Sequence, residues 1–193
     1  MDLYGSTTSP FVRRTRLLAT ANLNNALTFH DIDIFDAKGR ELLTYHNPTL
    51  KVPFVVDGDQ HIYDSRVVFR YLTEKFELEP LTWQQENQLT LIDAASDSLV
   101  EILLLMRSGI DPSQDGLFFN LQRERLTKLF AVLEQQVEQG LYARWNYPAI
   151  CLYCLVDWAL FRELVDFAPY PQLIGFHQQH DSREDVKLTD PRS

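Results

Sequence analysis

The sequence predicts an α/β domain over residues 1–78, with elements in the order β-α-β-α-β-β-α, followed by an all-α domain over residues 82–193. Two observations carry this prediction. Short strand patterns alternate with helical patterns in the first part of the chain, and the strand patterns stop at the segment that contains Pro80. Beyond that segment, apolar residues recur every three or four positions, which is typical of amphipathic helices.

The chain opens with a predicted strand over residues 2–4 and a turn. Pro10 suits the first position of a helix, where its missing N–H costs nothing, and Ser9 suits the N-cap before it. We expect Asn24 and Asn25 to end this helix, because Asn tolerates the left-handed backbone conformation found at helix ends.

Five further elements complete the predicted first domain: a strand over residues 27–34, a helix over 38–45, strands over 52–56 and 61–63, and a helix over 65–76. The segment Asp57-Gly58-Asp59 between the last two strands is a hairpin turn signal. The strand-helix-strand order at the start of the chain implies parallel pairing of the first two strands and a right-handed crossover.

The second domain begins with a capping box formed by Thr82 and Gln85. An apolar stripe from Leu89 to Met106 then predicts a long amphipathic helix. Further helices are predicted around residues 126–137, over 148–164 and over 171–180, before a polar tail over 181–193.

Composition excludes several classes of function. The 193 residues are 45% hydrophobic, which is globular composition, and the net charge of −9 disfavours nucleic acid and anionic membranes as partners. The common phosphate-binding glycine loops and the GxSxG nucleophile elbow are absent from the sequence. No apolar run approaches the ~20 residues of a membrane helix, and no signal peptide is visible. Two cysteines are too few to form a disulfide framework. We therefore expect a cytoplasmic protein.

Ser9 and Pro10 form the most informative junction. A hydroxyl at the start of a helix, directly after a parallel strand, faces a partial positive charge that favours an anion such as a thiolate. The alternative is that Ser9 only caps its helix, and position alone does not decide between the two.

Two further junctions are candidate ligand sites. In Lys51-Val52-Pro53, a cis proline bond would present the backbone of Val52 to an extended partner, and the alternative is an ordinary trans bond at an edge strand. In Asp64-Ser65, the helix start and the Asp64 carboxylate suit a zwitterion, and the alternative is a plain N-cap.

The cysteines and histidines of the second domain are interpreted as structural residues, without a redox or metal-binding role. Cys151 and Cys154 lie within an apolar helix, which indicates core thiols rather than a redox pair or half of a metal site. His177 and His180 lie three residues apart, with no third ligand evident, and are interpreted as part of a solvated face.

Charged side chains give two more interpretations. The cluster Arg13, Arg14 and Arg16 is interpreted as a solvated helix face. Asp157 lies in an apolar run, which indicates a hydrogen-bonded buried carboxylate that ties helix ends together. We expect no metal site in this chain.

Taken together, these features indicate a protein family more specifically than any one of them does. The chain resembles the cytosolic glutathione transferase superfamily, bacterial serine-type members in particular, along nearly its whole length. The matching residues are Leu3-Tyr4-Gly5-Ser6 with Ser9-Pro10-Phe11-Val12-Arg13, Asn47-Pro48, Lys51-Val52-Pro53, Asp64-Ser65, and Asp157-Trp158 to Phe161-Arg162. The resemblance implies a thioredoxin-like first domain, a helical second domain and a homodimer.

The resemblance also implies roles for individual residues. Ser9 would donate a hydrogen bond to the glutathione sulfur, and Val52, followed by Pro53, would pair its backbone with the cysteinyl unit. Asp64 and Ser65 would hold the γ-glutamyl end, and Lys51 would contact the glycine carboxylate.

The implied activity is conjugation of the glutathione thiolate to a small electrophile that meets it in a cleft between the domains. Glutathione would then be a co-substrate. The alternatives are a glutathione-dependent isomerase or dehalogenase, and an interaction protein that keeps the fold without turnover.

Two further expectations concern the helical domain. Family members usually open the core helix with a Ser/Thr-x-x-Asp box, whereas this chain has Asn146 at the cap and Ala149 where Asp is expected. The helix that begins at Thr82 would line a two-fold interface that buries more than ~1,200 Å² in total.

Overall fold

The structure is a computed structural model, and it describes residues 1–23 and 26–192. The chain divides into two compact units, of which the second comprises Thr82–Asp181. The first unit comprises Met1–Leu81 together with the tail from Ser182 onwards. The order of an α/β part followed by a helical part is the order that the sequence predicts.

Seven elements form the body of the first unit, namely β1 (Asp2–Gly5), α1 (Pro10–Asn22), β2 (Thr28–Asp31), α2 (Ala37–His46), β3 (Phe54–Asp57), β4 (Gln60–Tyr63) and α3 (Ser65–Lys75). Their order, β-α-β-α-β-β-α, is confirmed. The predicted end of the first helix at Asn24 and Asn25 lies outside the described residues. β2 is shorter than predicted, because the side chain of Asp33 accepts a hydrogen bond from the Phe35 backbone N–H and turns the chain.

The four strands form one mixed sheet in the order β2-β1-β3-β4. β1 and β2 are parallel, as the strand-helix-strand order predicts, and Leu3 pairs with Phe29. β3 is antiparallel to β1, with Leu3 opposite Val55, and β4 is antiparallel to β3, with Val55 opposite Ile62.

Because strand side chains alternate between faces, the sheet buries two different sets of residues. Phe54 on one face packs with Ile32 and with Leu43 of α2. Leu3 and Val55 are buried on the other face, where α3 packs against β3 and β4 and α1 packs against α3. The sheet is therefore covered on both faces, and its strand ends remain at the edges.

Four helices form the second unit, namely α4 (Trp83–Arg107), α5 (Leu117–Glu138), α6 (Tyr147–Phe161) and α7 (Pro171–Asp181). The capping box that opens α4 is present in full, since Thr82 and Gln85 exchange side-chain and backbone hydrogen bonds. α6 is buried on all sides, and Cys151 and Cys154 are buried thiols within it, as predicted. Asn146 caps α6 by accepting from the Ala149 N–H at 3.3 Å.

The interpretation of His177 and His180 as a solvated face is wrong. His177 bonds through Nε2 to the carboxylate of Asp157 at 2.8 Å, and Asp157 is only 2% exposed. His180 is buried and packs against the rings of Trp145 and Phe176. Asp157 is thus the hydrogen-bonded buried carboxylate that the sequence indicates, and it joins α6 to α7.

The tail contains one more helix, α8 (Glu184–Leu188), which the polar composition of the segment does not predict. Arg13 donates to the backbone oxygen of Val186 at 3.1 Å and to the Thr189 hydroxyl at 3.4 Å. These bonds explain why the tail groups with the first unit, although the sequence analysis assigns it to the helical domain.

The same bonds correct the interpretation of the arginine cluster. Arg13 and Arg14 are 3% and 0% exposed, and Arg16 is half-buried, so they do not form a solvated face. Arg16 donates to the backbone oxygen of Leu188 and lies over the Phe29 ring.

Within the part of the chain that the structure describes, no helix is both long and apolar enough to cross a membrane.

Candidate functional site

The strand register brings three of the predicted segments to one edge of the sheet. Tyr4 of β1 lies opposite Phe54 of β3, and Phe54 lies opposite Tyr63 of β4. Because β3 runs antiparallel to its neighbours, the segment after β1, the segment before β3 and the segment after β4 all leave the sheet at this edge. This is an end of the strands, not an edge strand, and we call it the α1 edge because α1 begins there. Its three segments contain Ser9, Val52 and Asp64.

Ser9 is the N-cap of α1. Its Oγ accepts a hydrogen bond from the Val12 N–H at 3.4 Å, and its own N–H donates to the backbone oxygen of Ser6 at 3.0 Å. Among residues 1–23 and 26–192, none accepts the proton of the Ser9 hydroxyl. The half-buried hydroxyl can therefore cap the helix as an acceptor and still donate to a ligand.

The neighbouring hydroxyls in the turn are arranged differently. Ser6 Oγ and Thr8 Oγ1 lie 3.1 Å apart and share a hydrogen bond. The Thr7 N–H donates to the carboxylate of Asp31, at the end of β2, at 2.9 Å. Asp31 thus holds the turn against the neighbouring strand, a role that no local sequence signal indicates.

Gly5 allows α1 to start close to the end of β1. A Cβ atom built on Gly5 would lie 2.3 Å from Cγ2 of Val12, a separation that carbon atoms do not adopt without displacement. Val12 is fully buried, so the absent side chain of Gly5 sets how closely the Ser9 turn approaches the sheet.

The second segment contains the Val52–Pro53 bond, which is the cis one of the two alternatives. Val52 is half-buried and directly precedes β3, whereas the side chain of Lys51 is exposed. Asn47, fully buried at the end of α2, donates to the backbone oxygen of Lys51 at 2.7 Å. The same side chain accepts from the backbone and the hydroxyl of Thr49 at 3.0 and 2.9 Å.

Asn47 is therefore a positioning residue for the loop that leads to Val52. Sequence reasoning assigned it no role, although an Asn directly before Pro48 in a loop is a turn signal that could have found it.

The third segment combines a helix cap and an available carboxylate oxygen. Asp64 is the N-cap of α3, and its Oδ1 accepts from the N–H groups of Arg66 and Val67 at 2.8 and 3.4 Å. Both bonds use Oδ1, so in the described chain Oδ2 has no protein donor. Ser65, the first residue of α3, is buried beside it.

Asp64 also adopts φ 74°, which only glycine adopts readily. An aspartate at this position keeps a carboxylate at the helix start at the expense of backbone strain.

The electrostatics of the α1 edge favour a ligand with charges of both signs. Two helices, α1 and α3, begin there, and each N-terminus carries a partial positive charge that attracts anions. The exposed carboxylate of Asp64 supplies a local negative charge for a cation. The edge thus suits a small zwitterion with an ionisable group beside Ser9.

The opposite end of β3 carries a structural cluster instead. Tyr71 donates to the Asp57 carboxylate at 2.5 Å, and the ammonium of Lys75 binds the same oxygen. The Lys75 and Tyr71 hydrogen bonds lower the pKa of Asp57, and the bond to Asp57 raises the pKa of Tyr71. This cluster ties α3 to β3 and lies away from the α1 edge.

Comparisons with known proteins agree with this architecture. Residues 3–80 match the family described as glutathione S-transferase, N-terminal domain. The chain is 27% identical over 205 aligned positions to the uncharacterized GST-like protein YibF of Escherichia coli (strain K12), with 99% of this chain and 98% of that protein covered.

Two solved structures are similar over almost the whole chain. One is a glutathione transferase family member from Pseudomonas fluorescens Pf-5 with bound glutathione, at a TM-score of 0.84 and 24% identity, covering 98% of each chain. The other is a glutathione S-transferase from Methylobacillus flagellatus KT with glutathione bound, at a TM-score of 0.84 and 22% identity, again covering 98% of each chain. Residues 3–80 thus match the glutathione S-transferase N-terminal domain, and the chain as a whole has the glutathione transferase fold.

Proposed function

We propose that this protein binds glutathione at the α1 edge and transfers its thiolate to a small electrophile, as a cytoplasmic glutathione transferase. One observation carries the proposal: the Ser9 hydroxyl keeps a proton to donate while it lies at the N-terminus of α1. The match of residues 3–80 to the glutathione S-transferase N-terminal domain supports glutathione as the ligand.

Ser9 and α1 together supply enough free energy to ionise a thiol. A free thiol has a pKa of about 8.5, and bringing it to about 6.5 requires ~2.7 kcal/mol in favour of the thiolate. A hydrogen bond to a charged group contributes ~1.5–3 kcal/mol. A helix N-terminus adds ~0.3–1 kcal/mol, and up to ~2 kcal/mol where it is partly buried. The proposed site therefore needs no general base.

The remaining groups of glutathione match the other two segments. Its α-ammonium would pair with Oδ2 of Asp64, which receives no protein donor in the described chain. Its γ-glutamyl carboxylate would bind at Ser65, and its cysteinyl backbone would pair with Val52. The exposed ammonium of Lys51 would neutralise the glycine carboxylate.

Calorimetric titration with glutathione tests the proposal directly. We expect saturable binding to the wild type and weaker binding to Asp64→Asn, which keeps the Oδ1 cap and removes the charge that meets the ammonium. Asp59→Asn removes the same charge from the exposed β3–β4 turn and should bind as the wild type does. The absence of binding at millimolar glutathione would contradict the proposal and favour an interaction protein on the same fold.

A screen of electrophiles then separates the possible reactions. Consumption of the glutathione thiol together with an electrophile, with a thioether product identified by mass spectrometry, would support conjugation. Turnover with glutathione regenerated at the end would instead favour a glutathione-dependent isomerase. Release of halide with oxidation of glutathione would favour a dehalogenase.

The proposed active form is a homodimer. Leu89, Ile92 and Leu99 of the apolar stripe are buried in the unit in which α4 packs against α5 and α6, so they are not available to a partner. Trp83, at the start of α4, is 87% exposed, and large aromatic side chains are common anchors at protein interfaces. Light scattering at micromolar concentration should give the dimer mass for the wild type and a lower mass for Trp83→Glu. A monomeric wild type would contradict the dimer.

A further inference from the structure

Two histidines from different elements of the first unit approach each other on the α2 face of the sheet. His46 is the last residue of α2, and His61 lies in β4. His46 Nδ1 and His61 Nε2 are 3.4 Å apart. Neither side chain has a role in the proposed glutathione site.

Local structure explains why these side chains meet. His61 pairs with Val56 and shares the α2 face of the sheet with Phe54 and Tyr63, because alternate strand residues point to the same face. In α2, His46 lies three residues after Leu43, which packs on Phe54, so both point towards the sheet. The helix packing that buries Leu43 therefore also directs His46 towards His61.

The separation of the two nitrogens matches a metal chelate. Zinc binds imidazole nitrogen at about 2.0–2.1 Å in tetrahedral geometry, and two such ligands about 109° apart have nitrogens about 3.3–3.4 Å apart. We propose that His46 and His61 bind one divalent late first-row transition-metal ion, such as Zn²⁺, with water completing its coordination. The observed separation of 3.4 Å is the one that such a pair of ligands requires.

Three neighbouring aromatic rings restrict the orientation of the His46 ring. Its ring is stacked on Phe54 at a centroid distance of 5.5 Å and on Tyr4 at 5.8 Å, both nearly parallel. Tyr45 packs edge-on against the same ring at 4.7 Å. A ligand that is already oriented loses little side-chain freedom when it binds a metal.

The backbone also favours a cation at this position. His46 ends α2, and the partial negative charge of a helix C-terminus attracts positive charge within its last turn. His61 is exposed, so a hydrated ion can reach it from solvent. The donor set of two imidazoles suits zinc, copper and nickel rather than magnesium or calcium.

A second cluster in the chain provides a direct rival. Ligand atoms of Asp157, His177 and Asp181 lie within 4.8 Å of one another in the second unit. In that cluster the His177 nitrogen is already hydrogen-bonded to Asp157, at 2.8 Å. The side chains of His177 and Asp157 are only 14% and 3% exposed, whereas His61 is exposed, so a hydrated ion reaches His61 more readily. We therefore assign metal binding to the His46–His61 pair.

Calorimetric titration of ZnCl₂ into protein without a polyhistidine tag tests the assignment. We expect one zinc ion per chain for the wild type and loss of that binding in His61→Gln, an exposed position where the fold should tolerate the change. His177→Gln is the matched control and should retain it. A thermal shift with zinc should appear in the wild type and in His177→Gln, because binding to the folded state raises its stability.

An independent readout identifies the ligands. Electron paramagnetic resonance of the Cu²⁺-loaded wild type should show coupling to two imidazole nitrogens, and that of His61→Gln should lose it. The proposal is overturned if the wild type binds no zinc at millimolar concentration, if His61→Gln still binds one equivalent, or if His177→Gln loses it. None of these outcomes depends on whether glutathione binds.

Discussion

The Asn47 side chain donates a hydrogen bond to the backbone oxygen of Lys51 at 2.7 Å, and this bond spans the loop between α2 and β3. The same amide accepts two hydrogen bonds from Thr49. Asn47 is fully buried and therefore anchors the loop at two positions, Thr49 and Lys51. This loop leads to Val52 at the α1 edge.

We expect Asn47→Ala to loosen this loop. The change removes the three hydrogen bonds of the amide, and the loss of even one intramolecular hydrogen bond costs ~0.5–1.5 kcal/mol. Urea denaturation should show a loss of that size in the free energy of unfolding. Calorimetry should also show weaker glutathione binding, because Val52 would no longer be held in position.

Asn47→Asp separates the two functions of the amide. A carboxylate still accepts from Thr49 but has no donor for the Lys51 oxygen, so it should also destabilise the loop. Thr49→Val removes only one of the three bonds and should cost least. If Asn47→Ala bound glutathione as tightly as the wild type, the positioning role would be wrong.

Gly5→Ala tests the close approach of α1 to β1. The new Cβ would lie 2.3 Å from Val12 Cγ2, and such overpacking typically costs ~1–3 kcal/mol. A double-mutant cycle with Val12→Ala should recover part of the loss, because the truncated side chain leaves room for the new methyl group.

Gly175→Ala in α7 is the control for that substitution. A Cβ there meets nothing within 4 Å, and alanine is a better helix former by ~0.5–1 kcal/mol, so stability should rise slightly. Equal effects of the two substitutions would contradict the account of Gly5.

The Asp57 cluster predicts part of the acid sensitivity of the fold. Hydrogen bonds from Lys75 and Tyr71 lower the pKa of Asp57, so the folded state keeps this carboxylate ionised where the unfolded chain protonates it. The stabilisation is present above the usual carboxyl pKa of about 3.9 and is lost as the pH falls through the lowered value.

Urea denaturation from pH 7 to pH 3 measures this contribution. Asp57→Asn should lower the free energy of unfolding at pH 7 and should flatten its fall on acidification. Asp59→Asn, in the same turn but outside the cluster, should leave the acid limb unchanged. A wild-type slope in Asp57→Asn would show that other carboxylates account for the acid sensitivity.

Local sequence signals predicted the fold where the contacts are local. Caps at Ser9, Thr82 and Asn146 mark helix starts because each bonds to an N–H three residues ahead, within the same turn of chain. The order of elements and the parallel pairing of β1 and β2 follow from such signals and from general topology.

Contacts distant in sequence produced the errors. Arg13 is buried because it bonds to Val186 and Thr189, more than 170 positions away, and nothing near Arg13 indicates those partners. The interpretation of His177 as solvated is wrong for the same reason, since Asp157 lies on another helix. The sequence also does not predict the proposed metal-binding pair, because His46 and His61 come together only when α2 packs on the sheet.

The role of Ser9 is the central claim, and the thiolate absorbance of bound glutathione measured against pH tests it most directly. Variants must first be shown to be folded, since loss of the cap alone costs ~0.5–2 kcal/mol. Ser9→Ala should raise the pKa of the bound thiol and slow conjugation, with affinity nearly unchanged, because Val52, Asp64 and Ser65 hold the rest of the ligand. Thr8→Ala should titrate as the wild type does. If Thr8→Ala alone raises the pKa of the bound thiol, the role belongs to Thr8 and the assignment to Ser9 is contradicted.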